Sequence, residues 1–280
     1  MNNDKKHTTI ISSDDASLQL NLKELYAYKD LFLVLAHRDL RVRYAQTFLG
    51  LFWALLQPLA TLVVISIVFG RFVKIDTGNI PYPLFAVTGI ALWTYFSFVL
   101  SQSGSSIIGS QEIVKKIYFP RLVIPLSKAV VGFVDFGVAI LLIVFLFFYY
   151  GITPSSNIIF VPIFILLTIL SSLAVGIWLS ALTIRYRDFQ YVVPFFVQFG
   201  LYVTPIAYPS EIVINKLPSW ASFLFYLNPM TGIIEGFRWC LFGGELLSTY
   251  FFISISIVFI IFISGVYYFK KIEKVMADII

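Results

Sequence analysis

The sequence has few charged residues and one cysteine, and these shortages exclude several classes of protein. Only 12% of its 280 residues are charged, whereas 59% are apolar. A soluble domain typically has about 25% charged residues, so the chain is not a soluble globular protein. The single cysteine, Cys240, excludes an internal disulfide, and we interpret it as a small buried apolar residue.

The sequence also lacks the motifs of nucleotide and metal chemistry. None of its sixteen glycines is followed by lysine, so no G-x-x-x-x-G-K-[ST] loop is present to cradle nucleotide phosphates. His7 and His37 cannot form a metal site with one cysteine, and neither H-E-x-x-H nor G-x-S-x-G occurs. We therefore expect no catalytic residue, no metal and no cofactor in this chain.

Six long apolar stretches account for the composition. At about 1.5 Å per residue, most of them are long enough to cross a hydrocarbon core of about 30 Å as helices. The sequence therefore predicts an all-α polytopic membrane protein with six transmembrane helices. The predicted spans are Phe48–Phe69, Leu84–Leu100, Val130–Tyr150, Ile158–Ile184, Tyr191–Tyr208 and Tyr250–Phe269.

The distribution of Lys and Arg predicts how the chain is threaded. With the N-terminus in the cytoplasm and six crossings, sixteen of the twenty Lys and Arg residues fall on the cytoplasmic side. Because cationic residues resist translocation, this excess places both termini in the cytoplasm. The polar tail 1–21 lacks the apolar core of a signal peptide. Contact of the basic rim with anionic lipid headgroups explains the positive charge without a nucleic-acid partner.

Residues 22–46 are predicted to form an amphipathic interfacial helix that precedes a six-span domain, residues 47–280. Apolar side chains recur at helical spacing along this segment, so one stripe would lie among the headgroups. Docking to a cytoplasmic partner is the alternative role. The stripe comprises Leu22, Leu25, Tyr26, Leu33, Ala36 and Leu40.

The segment Trp220–Gly243 is long enough to cross the membrane, but we expect it to be re-entrant. Its Glu235 and Arg238 would each cost about 2.5–3.5 kcal/mol at the centre of the bilayer. A crossing here would also export the lysines that follow the last span. Two short helices broken at Asn228-Pro229, between spans five and six on the external side, satisfy both constraints.

Few residues are candidates for function. Asp135 is the one carboxylate well inside a span, which favours either a functional role or a bond to a polar group of a neighbouring helix. A proton- or sodium-coupled carrier would need further buried acids or paired broken helices. Aromatic side chains recur at helical spacing where their rings could stack on sugars, with packing against helices or lipid as the alternative. They are Tyr44, Phe48 and Phe52, and Tyr191, Phe195, Phe199 and Tyr202 with Gln198 beside them.

Four ordered stretches resemble the permease subunits of ABC exporters for O-antigen, teichoic acid and related polysaccharides. Their order and their fit to six spans make the resemblance specific. The stretches are Arg38-Asp39-Leu40-Arg41-Val42-Arg43-Tyr44 with Leu49-Gly50-Leu51-Phe52-Trp53 and Gln57-Pro58; Tyr118-Phe119-Pro120-Arg121 with Pro125; Arg185-Tyr186-Arg187-Asp188-Phe189 with Thr204-Pro205-Ile206-Ala207-Tyr208; and Leu227-Asn228-Pro229-Met230 with Glu235-Gly236-Phe237-Arg238.

The resemblance implies a homodimer around one channel in the cytoplasmic (inner) membrane, with two copies of a separate ATPase that binds ATP and magnesium. The cargo would be a polysaccharide on an undecaprenyl-pyrophosphate lipid. A related ABC permease for a drug or a lipid is the alternative, and a membrane-embedded transferase or protease is a third. The implied roles are ATPase contact for Lys115, Lys116, Arg185, Arg187 and Asp188; pyrophosphate binding for Arg38, Arg41 and Arg43; and the glycan path for the aromatic residues with Gln198, Glu235 and Arg238.

Overall fold

The computed structural model describes residues 22–45, 50, 52–216, 218–244 and 249–276, and the regular elements in these ranges are all helices. The predicted tail 1–21 and Phe48 lie outside the described residues. The helices are α1 Leu22–Ala27, α2 Lys29–Tyr44, α3 Phe52–Ile65 with a π-helical continuation Ser66–Phe72, α4 Tyr82–Ser106, a 3-10 turn Ile108–Ser110, α5 Gln111–Lys116, α6 Val123–Tyr150, a 3-10 turn Ser156–Phe160, α7 Val161–Arg185, α8 Phe189–Val203, α9 Ser210–Ile214, α10 Ser219–Tyr226, α11 Pro229–Phe242 and α12 Phe251–Glu273.

Among the residues that the structure describes, five helical segments are long and apolar enough to cross a membrane, so the chain is a helical polytopic membrane protein. They are Phe52–Phe72, Tyr82–Ser106, Val123–Tyr150, Ser156–Arg185 and Phe251–Glu273.

The structure differs from the prediction at the fifth span, Tyr191–Tyr208. Its helix α8 has only 15 residues, a length of about 22 Å, and the chain leaves the helix at Thr204-Pro205. An irregular segment with a short helix, α9, follows. A helix of this length alone falls short of a hydrocarbon core of about 30 Å.

Helix α4 lies at the centre of the bundle and is buried over most of its length, with α3, α6, α7, α8 and α11 packed around it. Glycines allow two of these helices to approach closely. Gly132 of α6 lies against the ring of Tyr95, and Gly176 of α7 lies against Ser103. Small residues at helix contacts let backbones approach, which strengthens van der Waals packing where lipid supplies no hydrophobic driving force.

A second apolar cluster lies at the end of the bundle where α4 ends and α6 begins, which we call the α5 end. It attaches α2 and α5 to the ends of the long helices, because side chains from all of them share one core. Its buried members are Leu35, Ile107, Val114, Phe119, Leu122, Val123, Ile124, Ile177, Ala181, Ile184, Val266, Phe269, Ile272 and Met276.

The residues of the predicted interfacial segment do not share one surface. Leu35 and Ala36 of α2 are buried against the protein, whereas Tyr26 and Leu33 are exposed. The segment is also divided at Tyr28, where α1 ends and α2 begins. The predicted apolar stripe is thus split, because α2 packs one side on α6 and presents the other outward.

Helices α10 and α11 meet at the predicted break. The Asn228 side chain accepts a hydrogen bond from the Met230 N–H at 3.1 Å and so caps α11, and Pro229 occupies the first turn, where no N–H is needed. Helix α11 is largely buried among α4, α7 and α12. The two short helices are therefore present, and their re-entrant placement stays a prediction.

Candidate functional site

The outward side of α8 is an aromatic face, defined by Tyr191, Phe195, Phe199 and Tyr202. These four side chains are between 59% and 83% exposed, and Gln198 beside them is also exposed. The rings of Phe195 and Phe199 are parallel within 7°, with centroids 6.1 Å apart. The predicted i, i+4, i+8, i+11 stripe therefore lies on one uncovered surface of the single chain.

The opposite side of α8 holds this face in place. Val193 is buried, and Gly200 lies so close to Trp93 of α4 that a Cβ there would be 2.6 Å from the Trp93 ring. A residue larger than glycine at position 200 would push α8 away from α4. Glycine and valine on one side and aromatic rings on the other thus fix which side of α8 faces outward.

Exposed aromatic rings also occur on other helices, with aliphatic side chains among them. The exposed apolar residues of α12 include Ile260 and Ile263 beside Phe259, and those of α6 include Leu141 and Val144 beside Phe145, Phe148 and Tyr149. The face of α8 differs in having four aromatic residues at successive helical positions with one exposed amide beside them.

The predicted stripe on the first span is not continuous. Helix α2 ends at Tyr44, and Ala45 has an extended backbone, so Tyr44 and Phe52 lie on separate helices. Phe52 is exposed on α3. The hydroxyl of Tyr44 donates to Asp135. The helical spacing that grouped Tyr44 with Phe48 and Phe52 assumed one unbroken helix, and that assumption was wrong.

Arg238, predicted at an exit, is instead buried where α8 ends. Its guanidinium donates to the carbonyl oxygens of Pro205 at 2.6 Å and Ile206 at 2.8 Å. It also donates to Phe85 O at 3.3 Å and Thr88 Oγ1 at 3.2 Å on α4, and lies 3.6 Å from the centroid of the Phe85 ring. Arg238 thus supplies donors to the irregular backbone that follows α8, so it stabilises this part of the fold.

Two further side chains complete the junction after α8. Tyr82 donates from its hydroxyl to Ala207 O at 2.7 Å, and the Asn228 amide donates to Thr204 Oγ1 at 2.8 Å. Glu235, the other residue predicted at the exit, accepts from the Tyr226 hydroxyl at 2.8 Å. Glu235 is therefore also engaged within the chain.

Asp135 belongs to an ionic cluster between α2 and α6. It pairs with Arg43 and accepts from the Tyr44 hydroxyl, and Asp39 of α2 pairs with Lys128 of α6. Burial, together with the hydrogen bond to Asp135, raises the pKa of Tyr44 to about 12. Its phenol therefore stays protonated and donates. The expected bond of Asp135 to a polar group of a neighbouring helix is present.

The three arginines predicted at a pyrophosphate have different environments. Arg43 is committed to Asp135 and lies 4.1 Å from the centroid of the Phe98 ring. Arg38 pairs with Asp39 at 2.8 Å. Arg41 is exposed, and with Leu33, Val34, His37 and Arg38 it lines a shallow depression of about 440 Å³. The structure thus brings Arg38 and Arg41 together and separates Arg43 from them.

The residues predicted to contact an ATPase lie at the α5 end. Lys115, Lys116, Ile117 and Tyr118 are exposed, while Val114 is anchored in the second apolar cluster. Arg185 is exposed at the end of α7, and Arg187 and Asp188 are exposed in the loop between α7 and α8. Because α4 and α7 pack side by side and both end here, the two groups share one end of the bundle.

Sequence reasoning missed Asp39 and Lys128. A signal was available in the sequence. Along α2 a negative residue, Asp39, is followed four residues later by a positive one, Arg43, whereas along α6 positive Lys128 is followed seven residues later by negative Asp135. Among the residues that the structure describes, no group of three His, Cys, Asp or Glu side chains is arranged to hold a metal ion.

These features define a multi-pass helical membrane protein. The sequence pattern of the family described as ABC-2 type transporter matches residues 30–242, so the chain belongs to that family. A relative in Klebsiella pneumoniae, named O-antigen export system permease protein RfbA, is 30% identical over 94% of this chain and 98% of its own length. The protein of the same name in Myxococcus xanthus is 28% identical over 78% of this chain and 82% of its own length.

A more distant relative is the polysialic acid transport protein KpsM of Escherichia coli. It is 22% identical over 71% of this chain and 76% of its own length. The resemblance seen in the sequence motifs, to permease subunits of polysaccharide-exporting ABC transporters, is thereby confirmed.

Proposed function

We propose that this chain is the channel-forming subunit of an ATP-driven exporter that moves a lipid-linked polysaccharide across the cytoplasmic membrane. The proposal rests on the exposed aromatic face of α8, together with relatives named for O-antigen and polysialic acid export. The lipid is proposed to be an undecaprenyl-pyrophosphate carrier.

In this proposal both termini lie in the cytoplasm and the chain crosses the membrane six times. The crossings are α3, α4, α6, α7, α8 with its irregular continuation, and α12. The junction at Arg238 supports the fifth crossing, because it supplies donors to backbone that would otherwise be unsatisfied in lipid. Helices α10 and α11 would then dip into the outer leaflet and return.

The aromatic face of α8 is proposed to line a channel between two copies of this chain. Flat rings contact the C–H faces of sugars without holding a particular hydroxyl, and two tyrosine hydroxyls add weak polar contacts. Such a surface lets a polymer slide. In a homodimer two such faces would enclose one path, which agrees with their exposure in the single subunit.

Two copies of a separate ATPase are proposed to bind at the α5 end. Exposed Ile117 and Tyr118 offer apolar contacts, with Lys115 and Lys116 beside them, and Arg185, Arg187 and Asp188 add a second charged group. A small surface with both apolar and charged groups suits a partner that must bind, move and stay specific. ATP and magnesium would be held by that partner.

The alternative, a permease for a drug or a lipid, would share this topology. It predicts a cavity for one small molecule, whereas a polymer path predicts a repeated aromatic surface such as that of α8.

The decisive experiment measures export of lipid-linked glycans of different lengths by the complex in proteoliposomes. Phe199→Ala removes one ring of the face, so export of long chains should fall more than export of short chains. Phe199→Leu keeps bulk but not flatness and should not restore export. Phe259→Ala on α12 is the matched control, because Phe259 is also an exposed ring, and it should leave export unchanged.

Full rescue by Phe199→Leu would mean that the ring serves only in packing. Equal loss for all chain lengths would contradict a sliding surface. Protein level and ATPase activity must be measured in each variant, so that a folding defect is recognised.

A further inference from the structure

Two partly buried ion pairs join α2 to α6. On α2, Asp39 and Arg43 are one turn apart, and on α6 their partners Lys128 and Asp135 are two turns apart. The charges alternate along both helices, so each negative group meets a positive group of the other helix. The side chains of the four residues are only between 10% and 31% exposed.

Additional bonds fix the geometry of both pairs. Arg38 donates to the second carboxylate oxygen of Asp39 at 2.8 Å, and the Tyr44 hydroxyl donates to the second carboxylate oxygen of Asp135. The charges therefore have several partners each. Buried pairs of this kind are best known for setting the register of two helices.

Only one register satisfies these charges. If α2 moved along α6 until Arg43 reached Lys128, two positive groups would meet and Asp135 would lose its cation. Unpaired charge in a poorly hydrated site is costly, so intermediate positions are disfavoured as well. Helices α2 and α6 thus behave as one unit.

This unit lies between the segment that the proposed function assigns to the ATPase contact and α3, the first proposed crossing. Helix α6 begins at Val123, directly after the exposed segment of Lys115 and Lys116. At the other side Asp135 shares the wall of a small cavity with Ala54, Gln57 and Pro58 of α3. The first spanning helix therefore packs on α6 and faces the ionic cluster across this cavity.

We propose that Asp39, Arg43, Lys128 and Asp135 are positioning residues that lock α2 and α6 into a rigid strut. The strut carries a displacement of the ATPase-contacting segment to α3, and so couples ATP hydrolysis to movement of cargo. This inference rests on the proposed function, because it requires an ATPase at the α5 end.

The test uses the full complex in proteoliposomes and measures ATP hydrolysed per glycan exported. Asp135→Asn and Lys128→Gln should each raise this ratio at least fivefold in the assembled complex. Because each leaves one charge of a pair without its partner, the melting temperature should fall as well. The exchange variant Arg43→Glu with Asp135→Arg should return the ratio to within twofold of wild type. Asp30→Asn, on the exposed side of α2, is the control and should keep the wild-type ratio.

A second measurement serves if single variants fail to fold. In a Cys240→Ala background, Asp39→Cys and Lys128→Cys are bridged by a reducible bis-thiosulfonate spacer. If α2 and α6 form a rigid strut, the double-cysteine variant should hydrolyse more ATP per glycan than wild type before bridging, and nearly the wild-type amount after it. Loss of export on bridging, reversed by reductant, would overturn the inference, because α2 and α6 would then have to separate.

The outcomes test the strut separately from the proposed export function. If the wild-type complex exports no glycan, the proposed function is wrong. If wild type exports and the single variants keep its ratio, the function stands and the strut is refuted.

Discussion

Arg238 is the residue whose loss should damage the fold most clearly. Its guanidinium supplies donors to the carbonyl oxygens of Pro205 and Ile206, where the chain leaves α8. Replacing it by methionine, Arg238→Met, keeps an unbranched apolar stem and removes every donor. The two carbonyl groups would then be buried without these partners.

The magnitude follows from these contacts. A buried polar group that loses its partner costs about 1–3 kcal/mol, and two carbonyls are affected. The contacts to Phe85 O and to its ring add to the loss, while removal of a buried charge offsets part of it. We expect a net loss of about 2–4 kcal/mol in the free energy of unfolding.

Thermal unfolding in detergent, followed by tryptophan fluorescence, measures the effect. At about 2–4 °C per kcal/mol for a chain of this size, Arg238→Met should melt about 5–15 °C below wild type. Arg238→Lys keeps the charge but not the planar fork, so it should fall between the two. The control is Arg71→Met, because Arg71 is exposed. Equal melting temperatures for Arg238→Met and Arg71→Met would refute the reasoning.

The remaining predictions concern packing and threading. A Cβ at Gly236 would lie 1.9 Å from Phe164 Cε1, whereas one at Gly137 would meet nothing within 4 Å. Gly236→Ala should therefore cost about 1–3 kcal/mol in unfolding free energy, and Gly137→Ala should be neutral or stabilising; similar melting curves would contradict this. In a Cys240→Ala background, cysteines at Asn79, Asn157 and Lys216 should react with an impermeant reagent from outside, and those at Lys116 and Asp188 should not. External labelling at Lys116 would contradict the proposed threading.

The sequence predicted the features that depend on local chemistry. The break before α11 follows from an asparagine that caps a helix and a proline that begins it, and both effects act within three residues. The aromatic face of α8 likewise follows from helical spacing alone. Its outward direction agrees with the small residue Gly200 on the opposite side.

Features set by distant partners were beyond sequence reasoning. The end of α8 depends on donors from Tyr82, Asn228 and Arg238, which lie far from it along the chain. Hydropathy continued the fifth span to Tyr208, because it counts apolar residues and ignores where carbonyl groups find donors. Arg43 was assigned to a ligand for the same reason, since its partner Asp135 is 92 residues away.

Buried Arg238 and half-buried Arg43 have different kinds of partner, and this difference bears on what each site does. Arg238 donates to neutral oxygens of the backbone and of Thr88, so it holds one arrangement of α4, α11 and the chain after α8. Arg43 of α2 pairs with the carboxylate of Asp135 on α6. The position of α2 along α6 therefore decides whether the charges match.

Both sites border α4, Arg238 at Phe85 and Arg43 at Phe98, about 20 Å apart along the helix at about 1.5 Å per residue. Loss of a backbone donor should lower stability without changing the ratio of ATP to cargo. Loss of a register-setting ion pair should lower stability as well, because one charge is left unpaired, but it should also raise that ratio. Comparing Arg238→Met with Asp135→Asn in both assays therefore separates a residue that holds the fold from one that transmits movement through it.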